Sequence, residues 1–432
     1  MYVDFPEVRD SDRIRHAQPI DAARVNLTPA EAWARLKTPG EPDDARLLMY
    51  DARPAYSFHL GSKRNMIFAD NGQTLTTFSR ELNLRTAAAW AGQPPSNARV
   101  EEMPAVDQWT VGGIYRQYAP LVKYSWPDGQ QVDIASSTGE VVQYTTTTSR
   151  VLAYLGPVAH WLYFTPLRAN GRLWSRIVIW LSGAATVVAL LGLFAGLSLY
   201  SPAKKIPFAG TKRLHMILGL FFGFIACTWS FSGMLSMDPF PMHSREDTRI
   251  PEALGSEPFA LKNFAARSPR EALNGMPAKE LEFISVRGAS WYLAVKEGGA
   301  KTVIPVAGSF DAAEFVRRMP GVGEVKWVGP TREVPVRALA VELNDPVHSR
   351  FYIDPKTAQI VGSYSSDQWV ERWLYHGLHW INIPRLYDQR PAWDIVVLAL
   401  MLGGTALSIT SMIIGWKFLA RKVYSVTGAQ NQ

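Results

Sequence analysis

The apolar residues of this chain are concentrated in three long runs, at 177–200, 214–237 and 395–416. The first and third runs contain no charged residue, and the second contains His215 and Cys227 as its ionisable side chains. Each run exceeds the roughly 20 residues that a helix needs to cross about 30 Å of hydrocarbon. A buried helix of a soluble core is seldom so long and so apolar. The pattern therefore predicts three transmembrane helices.

The charges that flank these runs predict their orientation. The link at 201–213 and the tail at 417–432 are basic and contain no acidic residue; their cations are Lys204, Lys205, Lys212, Arg213, Lys417, Arg421 and Lys422. Basic flanks mark the cytoplasmic side of a membrane. The long polar stretches at 1–148 and 238–366 would then lie in the periplasm, across a bacterial inner membrane. An interfacial helix and linker, at 149–176 and at 367–394, is expected between each polar stretch and the span that follows it.

The polar stretches have the patterning of small α+β domains. Thr28 is placed as the N-cap of a helix with an apolar face, and Asn71-Gly72 is a hairpin turn signal. Two later strands are predicted to join at Asp128-Gly129, and residues 340–362 of the second stretch repeat that scheme. The predicted fold is therefore a membrane α-helical protein with two periplasmic α+β domains.

The chain is internally duplicated at an offset of 219 residues. His160-Trp161 aligns with His379-Trp380, and Trp174 aligns with Trp393, without a gap. Each repeat is expected to contain a spanning helix, a soluble domain, an interfacial helix and a second spanning helix. The counterpart of His215 and its run would precede residue 1. A fourth transmembrane helix is therefore expected upstream, because the first ten residues also contain no export signal.

Charge and cysteine content exclude several classes of site. The net charge is +7, but the basic residues are spread along the chain or flank the apolar runs, so no nucleic-acid partner is expected. The single cysteine, Cys227, permits no intrachain disulfide and no Cys-based zinc, iron–sulfur or c-type haem site. The sequence contains no GxGxxG, P-loop, HExxH or nucleophile-elbow pattern in its soluble stretches.

His215 is the first candidate functional residue, because ionisable side chains within membrane spans are rare and usually functional. Gly219 and Gly223 follow it on the same helix face. This stripe leaves room beside the imidazole for a flat macrocycle. Alternatively, the glycines allow close helix packing and His215 lies at the cytoplasmic headgroups.

His160 and His379 are further candidates, because they occupy equivalent positions in the two repeats. Each lies 14 residues before a tryptophan near the entry to a span. They are either ligands that face each other across the duplication or interfacial histidines in aromatic-rich segments. His376, three residues before His379 on the same face, is the alternative ligand in the second repeat.

Three segments of the sequence resemble one known family. The run DIASSTGEVV, at 133–142, is similar to the end of a strand pair in PepSY modules. The segment RLHMILGLFFGFIACTWSFSGML, which starts at Arg213, resembles the PepSY-associated transmembrane helix, although Ile217 stands where that helix often has a tryptophan. LHWINIP and the apolar run after it resemble the second helix type of the family. The resemblance extends over nearly the whole chain.

The resemblance implies a redox function, because members of this family include iron-regulated ferric-siderophore reductases with two b-type haems. One haem would use His215 and the histidine of the missing helix, and the other would use His160 with His379 or His376. The implied partners are membrane lipid, a cytoplasmic flavin or nicotinamide donor, and a ferric siderophore. PepSY modules also occur as inhibitory or chaperone-like segments, so a non-redox membrane protein that binds periplasmic peptides or proteases, or assists siderophore uptake, is the alternative.

Overall fold

A computed structural model describes residues 3–61, 63–75, 77–103, 106–201, 206–239, 258–286, 288–317, 319, 321–331, 333–369 and 371–429. Lys204 and Lys205, two of the cations used to predict orientation, lie outside these ranges, as do residues 240–257, shortly after the second apolar run. The chain divides into two compact units. The first contains 1–171, 246–329 and 336–363, and the second contains 172–245, 330–335 and 364–432.

The described α-helices are α1 (Asp10–His16), α2 (Pro29–Arg35), α3 (Arg80–Ala91), α4 (Thr147–Leu155), α5 (Pro157–His160), α6 (Thr165–Arg168), α7 (Gly171–Leu199), α8 (Gly210–Leu235), α9 (Pro269–Ala272), α10 (Ala312–Arg317) and α11 (Ala392–Ala429). Short 3₁₀ helices occupy Ala22–Arg24, Pro95–Asn97, Gly113–Tyr118, Leu261–Phe264, Glu297–Gly299 and Ser366–Gln368, and a π-helix occupies Glu371–Gly377. The predicted N-cap of α2 is confirmed: the Thr28 hydroxyl accepts a hydrogen bond from the Glu31 amide, and the Glu31 carboxylate accepts one from the Thr28 amide.

The described strands are β1 (Asp44–Tyr50), β2 (Arg53–Leu60), β3 (Lys63–Phe68), β4 (Thr74–Leu75), β5 (Arg99–Met103), β6 (Leu121–Ser125), β7 (Gln131–Ala135), β8 (Val141–Thr145), β9 (Glu280–Val286), β10 (Ala289–Val295), β11 (Lys301–Pro305), β12 (Val322–Val328), β13 (Ala338–Leu343), β14 (Arg350–Ile353) and β15 (Ile360–Tyr364). They form one seven-stranded sheet and two four-stranded sheets, all within the first unit apart from the last residue of β15.

The seven-stranded sheet contains strands from both polar stretches of the sequence. Its order is β11-β10-β9-β1-β2-β3-β4, and β1 pairs antiparallel with β9, with Leu47 opposite Leu281. Both leucines are fully buried in a core that also contains Tyr56 and Tyr292. The buried Glu280 carboxylate at this junction forms salt bridges with two arginines, one of which is Arg46 of β1. The stretches that were predicted as separate domains therefore share a sheet and a core.

The two four-stranded sheets show the duplication directly. Their orders, β5-β6-β7-β8 and β12-β13-β14-β15, are the same meander, and β8 and β15 lie at the 219-residue offset. The predicted turn at Asp128-Gly129 joins β6 to β7, where Gly129 has a φ of 87°. One helix packs on each sheet: Trp90 of α3 lies in the core of the first, and Val316 of α10 lies in the core of the second.

In the second unit, α7, α8 and α11 are long and apolar enough to cross a membrane. Large apolar side chains on α7 and α11 are exposed, including Trp180 at 78% and Leu402 at 71%. Such exposure is expected of helices that are solvated by lipid. The helices extend beyond the predicted spans at 177–200 and 395–416: α7 begins at Gly171, and α11 continues to Ala429.

The three helices pack as antiparallel neighbours around α8. Gly196, late in α7, lies against Leu220, early in α8, and a side chain at Gly403 of α11 would collide with the Phe222 ring of α8. The end of α7, the start of α8 and the end of α11 therefore lie on one side of this bundle. The segments that flank these ends, 201–213 and 417–432, are basic and contain no acidic residue, so the packing agrees with the orientation that the charges predict.

Candidate functional site

His215 lies in the second turn of α8 and contacts α11 through a hydroxyl group. Its Nδ1 atom is 3.0 Å from Oγ1 of Thr410, which is buried. The same hydroxyl donates a hydrogen bond of 2.8 Å to the backbone carbonyl of Leu407, one turn earlier in α11. The half-buried imidazole is thus held between two helices at one end of the bundle.

His379 makes the corresponding contact at the other end of α8. Its Nδ1 atom is 3.0 Å from Oγ of Ser232, whose side chain is completely buried. The Ser232 hydroxyl donates to the carbonyl of Thr228 at 2.7 Å. Ser232 follows His215 by 17 residues, which corresponds to about 25 Å along a helix at 1.5 Å per residue. The second unit therefore holds one histidine near each end of the same spanning helix.

The loop that carries His379 is fixed by hydrogen bonds to its backbone carbonyls. The amide of Asn382 donates to the carbonyl of His376 at 3.0 Å, and Arg372 donates to the carbonyl of Asn382 at 3.1 Å. The indole of Trp393, at the start of α11, donates to the carbonyl of Ile381 at 3.0 Å. Trp393 is one of the tryptophans that defined the repeat, and here it ties the loop to the spanning helix.

His376 and His379 share an aromatic neighbour but differ in their polar contacts. The Tyr375 ring stacks on His379 at 5.3 Å and meets His376 edge-on at 5.4 Å. His376 also contacts the Trp380 ring at 5.3 Å. Of the two histidines, His379 is the one whose imidazole bonds a hydroxyl of a spanning helix. The geometry thus favours His379 over His376 as the oriented candidate.

His160 belongs to the first unit, at the end of the short helix α5. The turn after it is closed by a 2.9 Å hydrogen bond from the Tyr163 amide to the carbonyl of Val158. The residue as a whole is exposed, although partial burial of its imidazole lowers the pKa of His160. The pairing of His160 with His379 stays a prediction.

The glycine stripe beside His215 is used for helix packing in this structure. A Cβ atom at Gly219 would lie 3.9 Å from Leu407 of α11, and one at Gly223 would lie 3.5 Å from Leu193 of α7. Leucine side chains of both neighbouring helices thus occupy the space that was assigned to a flat macrocycle. The alternative prediction, that these two glycines allow close helix packing, therefore agrees with the structure. A planar group bound to His215 would have to approach the imidazole from another direction.

Thr410 and Ser232 are the site residues that the sequence interpretation missed. Both lie inside apolar runs, where isolated hydroxyls usually satisfy the helix backbone and attract no attention. The internal repeat could not identify Thr410 either, because Leu191 stands at the equivalent position. The one usable signal was their polarity within a span, since hydroxyls there can bond across helices.

A second polar cluster is buried in the first unit, on the sheet β5-β6-β7-β8. Asp133 of β7 lies between Lys123 of β6 and Gln143 of β8 in the pairing register, and it is 2% exposed. Burial raises the pKa of Asp133 to about 7, although the Lys123 ammonium opposes the shift. Burial also acts to raise the pKa of Asp107, but the hydrogen bond and charge of Lys123 outweigh it and lower that pKa.

The helix α4 presents an apolar surface just before the first spanning helix. Val151, Leu152, Tyr154 and Leu155 are exposed, Leu155 at 79%, while Ala153 on the opposite face is buried. Exposed apolar surface of this kind, on a helix that precedes a spanning segment in the sequence, is typical of helices that lie in the membrane interface. The prediction of an interfacial helix within 149–176 is consistent with this surface.

We expect α4 to contact lipid headgroups and acyl chains. With Cys227→Ala as background, an environment-sensitive dye on Leu155→Cys should show blue-shifted emission in nanodiscs and quenching by brominated lipid. The same dye on Ser96→Cys, exposed in a 3₁₀ helix of the same unit, serves as the control and should report water. Equal emission and equal quenching at the two positions would contradict an interfacial α4.

No family model, no curated protein and no solved structure matches this chain. Among the residues that the structure describes, no three His, Cys, Asp or Glu side chains come together as a metal-binding group. Haem iron, by contrast, takes one or two axial ligands from the protein. The candidate site therefore consists of single histidines, His215 and His379, each oriented by a hydroxyl group between packed helices.

Proposed function

We propose that this chain is a bacterial inner-membrane haem b protein that moves electrons across the membrane and reduces ferric siderophore iron in the periplasm. The observation that carries the proposal is the placement of His215 and His379 at opposite ends of α8, each with Nδ1 on a buried hydroxyl. His215 and Ser232, the residue that His379 contacts, are about 25 Å apart along α8 at 1.5 Å per residue, so the two histidines would provide one redox centre near each membrane surface. The resemblance to PepSY-associated transmembrane proteins supports the same function.

The donor set fits haem b. Haem iron binds the neutral imidazole of histidine, and a hydrogen bond from the other ring nitrogen orients the ligand. His215 would hold the haem nearer the cytoplasm, and His379 the haem nearer the periplasm. When bound, each group would supply reversible one-electron exchange at its iron. The protein's part is to orient the imidazoles and to exclude water with the surrounding apolar side chains.

The second axial ligands come from segments that the bundle does not contain. We propose His160 as the second ligand of the periplasmic haem, paired with His379 or with its alternative His376, and a histidine of the equivalent helix in the first repeat for the cytoplasmic haem. The electron donor would be a cytoplasmic flavin or nicotinamide reductase, since the sequence contains no dinucleotide fingerprint. The acceptor would be a ferric siderophore at the periplasmic face.

An absorption spectrum of the purified chain tests this function. Protein that is expressed with an adequate haem supply and kept in nanodiscs should show a Soret band and, after chemical reduction, an α band. A variant with both His215→Ala and His379→Ala should lack these bands at equal protein concentration. A correctly inserted wild-type protein without a Soret band would refute the redox function and leave the non-redox PepSY membrane protein as the function to test.

A further inference from the structure

The hydroxyls that contact His215 and His379 each lie close to a second oxygen atom. Oγ1 of Thr410 is 2.8 Å from the carbonyl oxygen of Leu407, and Oγ of Ser232 is 2.7 Å from that of Thr228. Two oxygens approach this closely when a proton lies between them. A carbonyl has no proton to give, so each hydroxyl donates its single hydrogen to the backbone.

A hydroxyl group that already donates its hydrogen to a carbonyl can only accept a hydrogen bond from an imidazole. Thr410 and Ser232 retain lone pairs, and these face Nδ1 of His215 and of His379 at 3.0 Å. In the reverse arrangement the hydroxyl would donate to Nδ1, its bond to the carbonyl would be lost, and two bare oxygens would remain in contact. The arrangement with a proton on Nδ1 makes one more hydrogen bond and avoids that repulsion.

We infer that Thr410 and Ser232 are positioning residues that keep a proton on Nδ1 of His215 and of His379, so that the lone pair of the neutral imidazole lies on Nε2. This tautomer is the one in which Nε2 can bind a metal ion. The inference rests on the proposed function for the identity of the bound iron, whereas the tautomer is a property of the polypeptide alone.

The two contacts use the helices in opposite ways. At one end of the bundle α8 provides the histidine and α11 provides the hydroxyl. At the other end α8 provides the hydroxyl, and the loop before α11 provides the histidine. Both hydroxyl side chains are buried, and each is bonded to the preceding turn of its own helix. Their rotamers are therefore fixed, and each imidazole is held in direction as well as in protonation.

The tautomer can be measured without haem. The full chain would be prepared haem-free in nanodiscs with ¹³C,¹⁵N-labelled histidine, and the signals of His215 and His379 would be assigned by their loss in single alanine variants. Ring carbon and nitrogen shifts distinguish the two neutral tautomers. We expect the Nδ1-protonated tautomer at both positions in the wild-type protein.

Substitutions then test the effect of each hydroxyl on the tautomer of its histidine. Thr410→Val keeps the shape and removes the acceptor, so His215 should populate the other tautomer, and Thr410→Ser should restore the wild-type signal. Ser411→Ala is the matched control, because the exposed Ser411 hydroxyl bonds the same Leu407 carbonyl. Ser232→Ala should act on His379 in the same way, with Ser236→Ala, one turn later in α8, as its control.

Haem retention gives a second readout. Loss of an outer-shell partner typically weakens metal binding by about 10- to 100-fold. Thr410→Val should therefore lose its cytoplasmic-side haem faster than Thr410→Ser or Ser411→Ala, with a shifted midpoint potential for the haem that remains bound. Absorbance during transfer to an excess of apo-globin would follow the loss.

The outcomes separate this inference from the proposed function. An Nε2-protonated tautomer in the wild-type protein, or a tautomer population that Thr410→Val leaves unchanged, would overturn the inference whether or not haem binds. The expected tautomers in a protein that takes up no haem would uphold the positioning role and would refute the redox function.

Discussion

Replacement of His215 by alanine is expected to remove the proposed cytoplasmic-side haem while the chain still inserts normally. Insertion should survive because residues 216–237 alone exceed the roughly 20 apolar residues that a span requires. Haem should be lost because Thr410 can orient an imidazole but cannot replace it as a ligand of iron. The haem-to-protein ratio, measured from the reduced α band of purified protein, should fall by one haem per chain.

The variant should also block electron entry. The proposed periplasmic-side haem should still be reduced by a chemical reductant, whereas electrons supplied to the cytoplasmic face of proteoliposomes should no longer reach an external acceptor. His348→Ala is a suitable control, since that histidine is exposed in the first unit and should affect neither measurement. A His215→Ala protein that keeps all its haem and still passes electrons would contradict the two-haem arrangement.

The three spanning helices were predictable from the apolar runs, but their ends were not. Hydropathy reports which residues fit the hydrocarbon, whereas a helix ends where its backbone hydrogen bonds stop. The helix α7 therefore begins at Gly171, before the polar Arg172 and Arg176, and so includes residues that hydropathy assigned to a linker. The backbone gains from helical bonding in those turns whether they lie in lipid or in water.

Local turn chemistry and the repeat predicted much of the soluble architecture. Asp128-Gly129 forms the predicted turn because glycine there adopts a positive φ. The 219-residue offset, added to the residue numbers of β8, gives the position of β15. The pairing of β1 with β9 was not predictable, because no local pattern specifies which edge strands meet across more than two hundred residues. The choice is made by side-chain complementarity, such as Leu47 against Leu281 and the Glu280 carboxylate against Arg46.

The candidate site was predictable in its histidines but not in its hydroxyls. His215 was conspicuous because a titratable group inside a span is costly. Thr410 carries no such cost, since its hydroxyl satisfies a carbonyl of its own helix, and it resembles any other packing residue until α8 is placed beside it. Asp133 was missed for a similar reason: a strand position gives no sign that both of its cross-strand neighbours are polar and covered.

Asp133 should make the first unit less stable as pH rises, by a margin large enough to measure. In an unfolded chain an aspartate has a pKa of about 3.9, whereas burial raises the pKa of Asp133 to about 7 in the folded protein. Between these values the unfolded state releases the proton that the folded state keeps. A raised pKa therefore contributes stability that is complete below pH 4 and is lost as pH rises through 7. At 1.36 kcal/mol per pKa unit, the loss is about 4 kcal/mol.

The groups around Asp133 explain why its neutral form is favoured. Lys123 on β6 faces it but already forms a salt bridge with Asp107, and the carboxylates of Asp107 and of Glu101 on β5 both raise the pKa of Asp133 further. On β8 the neighbour is Gln143, whose amide donates to the carbonyl of Trp109 at 2.8 Å. One carboxyl oxygen of Asp133 has no hydrogen-bond partner among the described residues. An ionised Asp133 would therefore be buried with little compensation.

Asp133→Asn removes the ionisable group with little change in shape, so it should abolish this pH dependence. We expect the variant and the wild-type protein to be equally stable below pH 4, and the variant to be more stable by about 4 kcal/mol above pH 7, which is the full linkage contribution. Pulse proteolysis in urea, applied to the full chain in nanodiscs at pH 4, 6 and 8, would measure the difference in the first unit. Asp21→Asn makes the same charge change at an exposed position and should leave the pH dependence as it is. If Asp133→Asn is no more stable than wild type at pH 8, the carboxyl is not held neutral by burial, and Lys123 pairs with Asp133 as well as with Asp107.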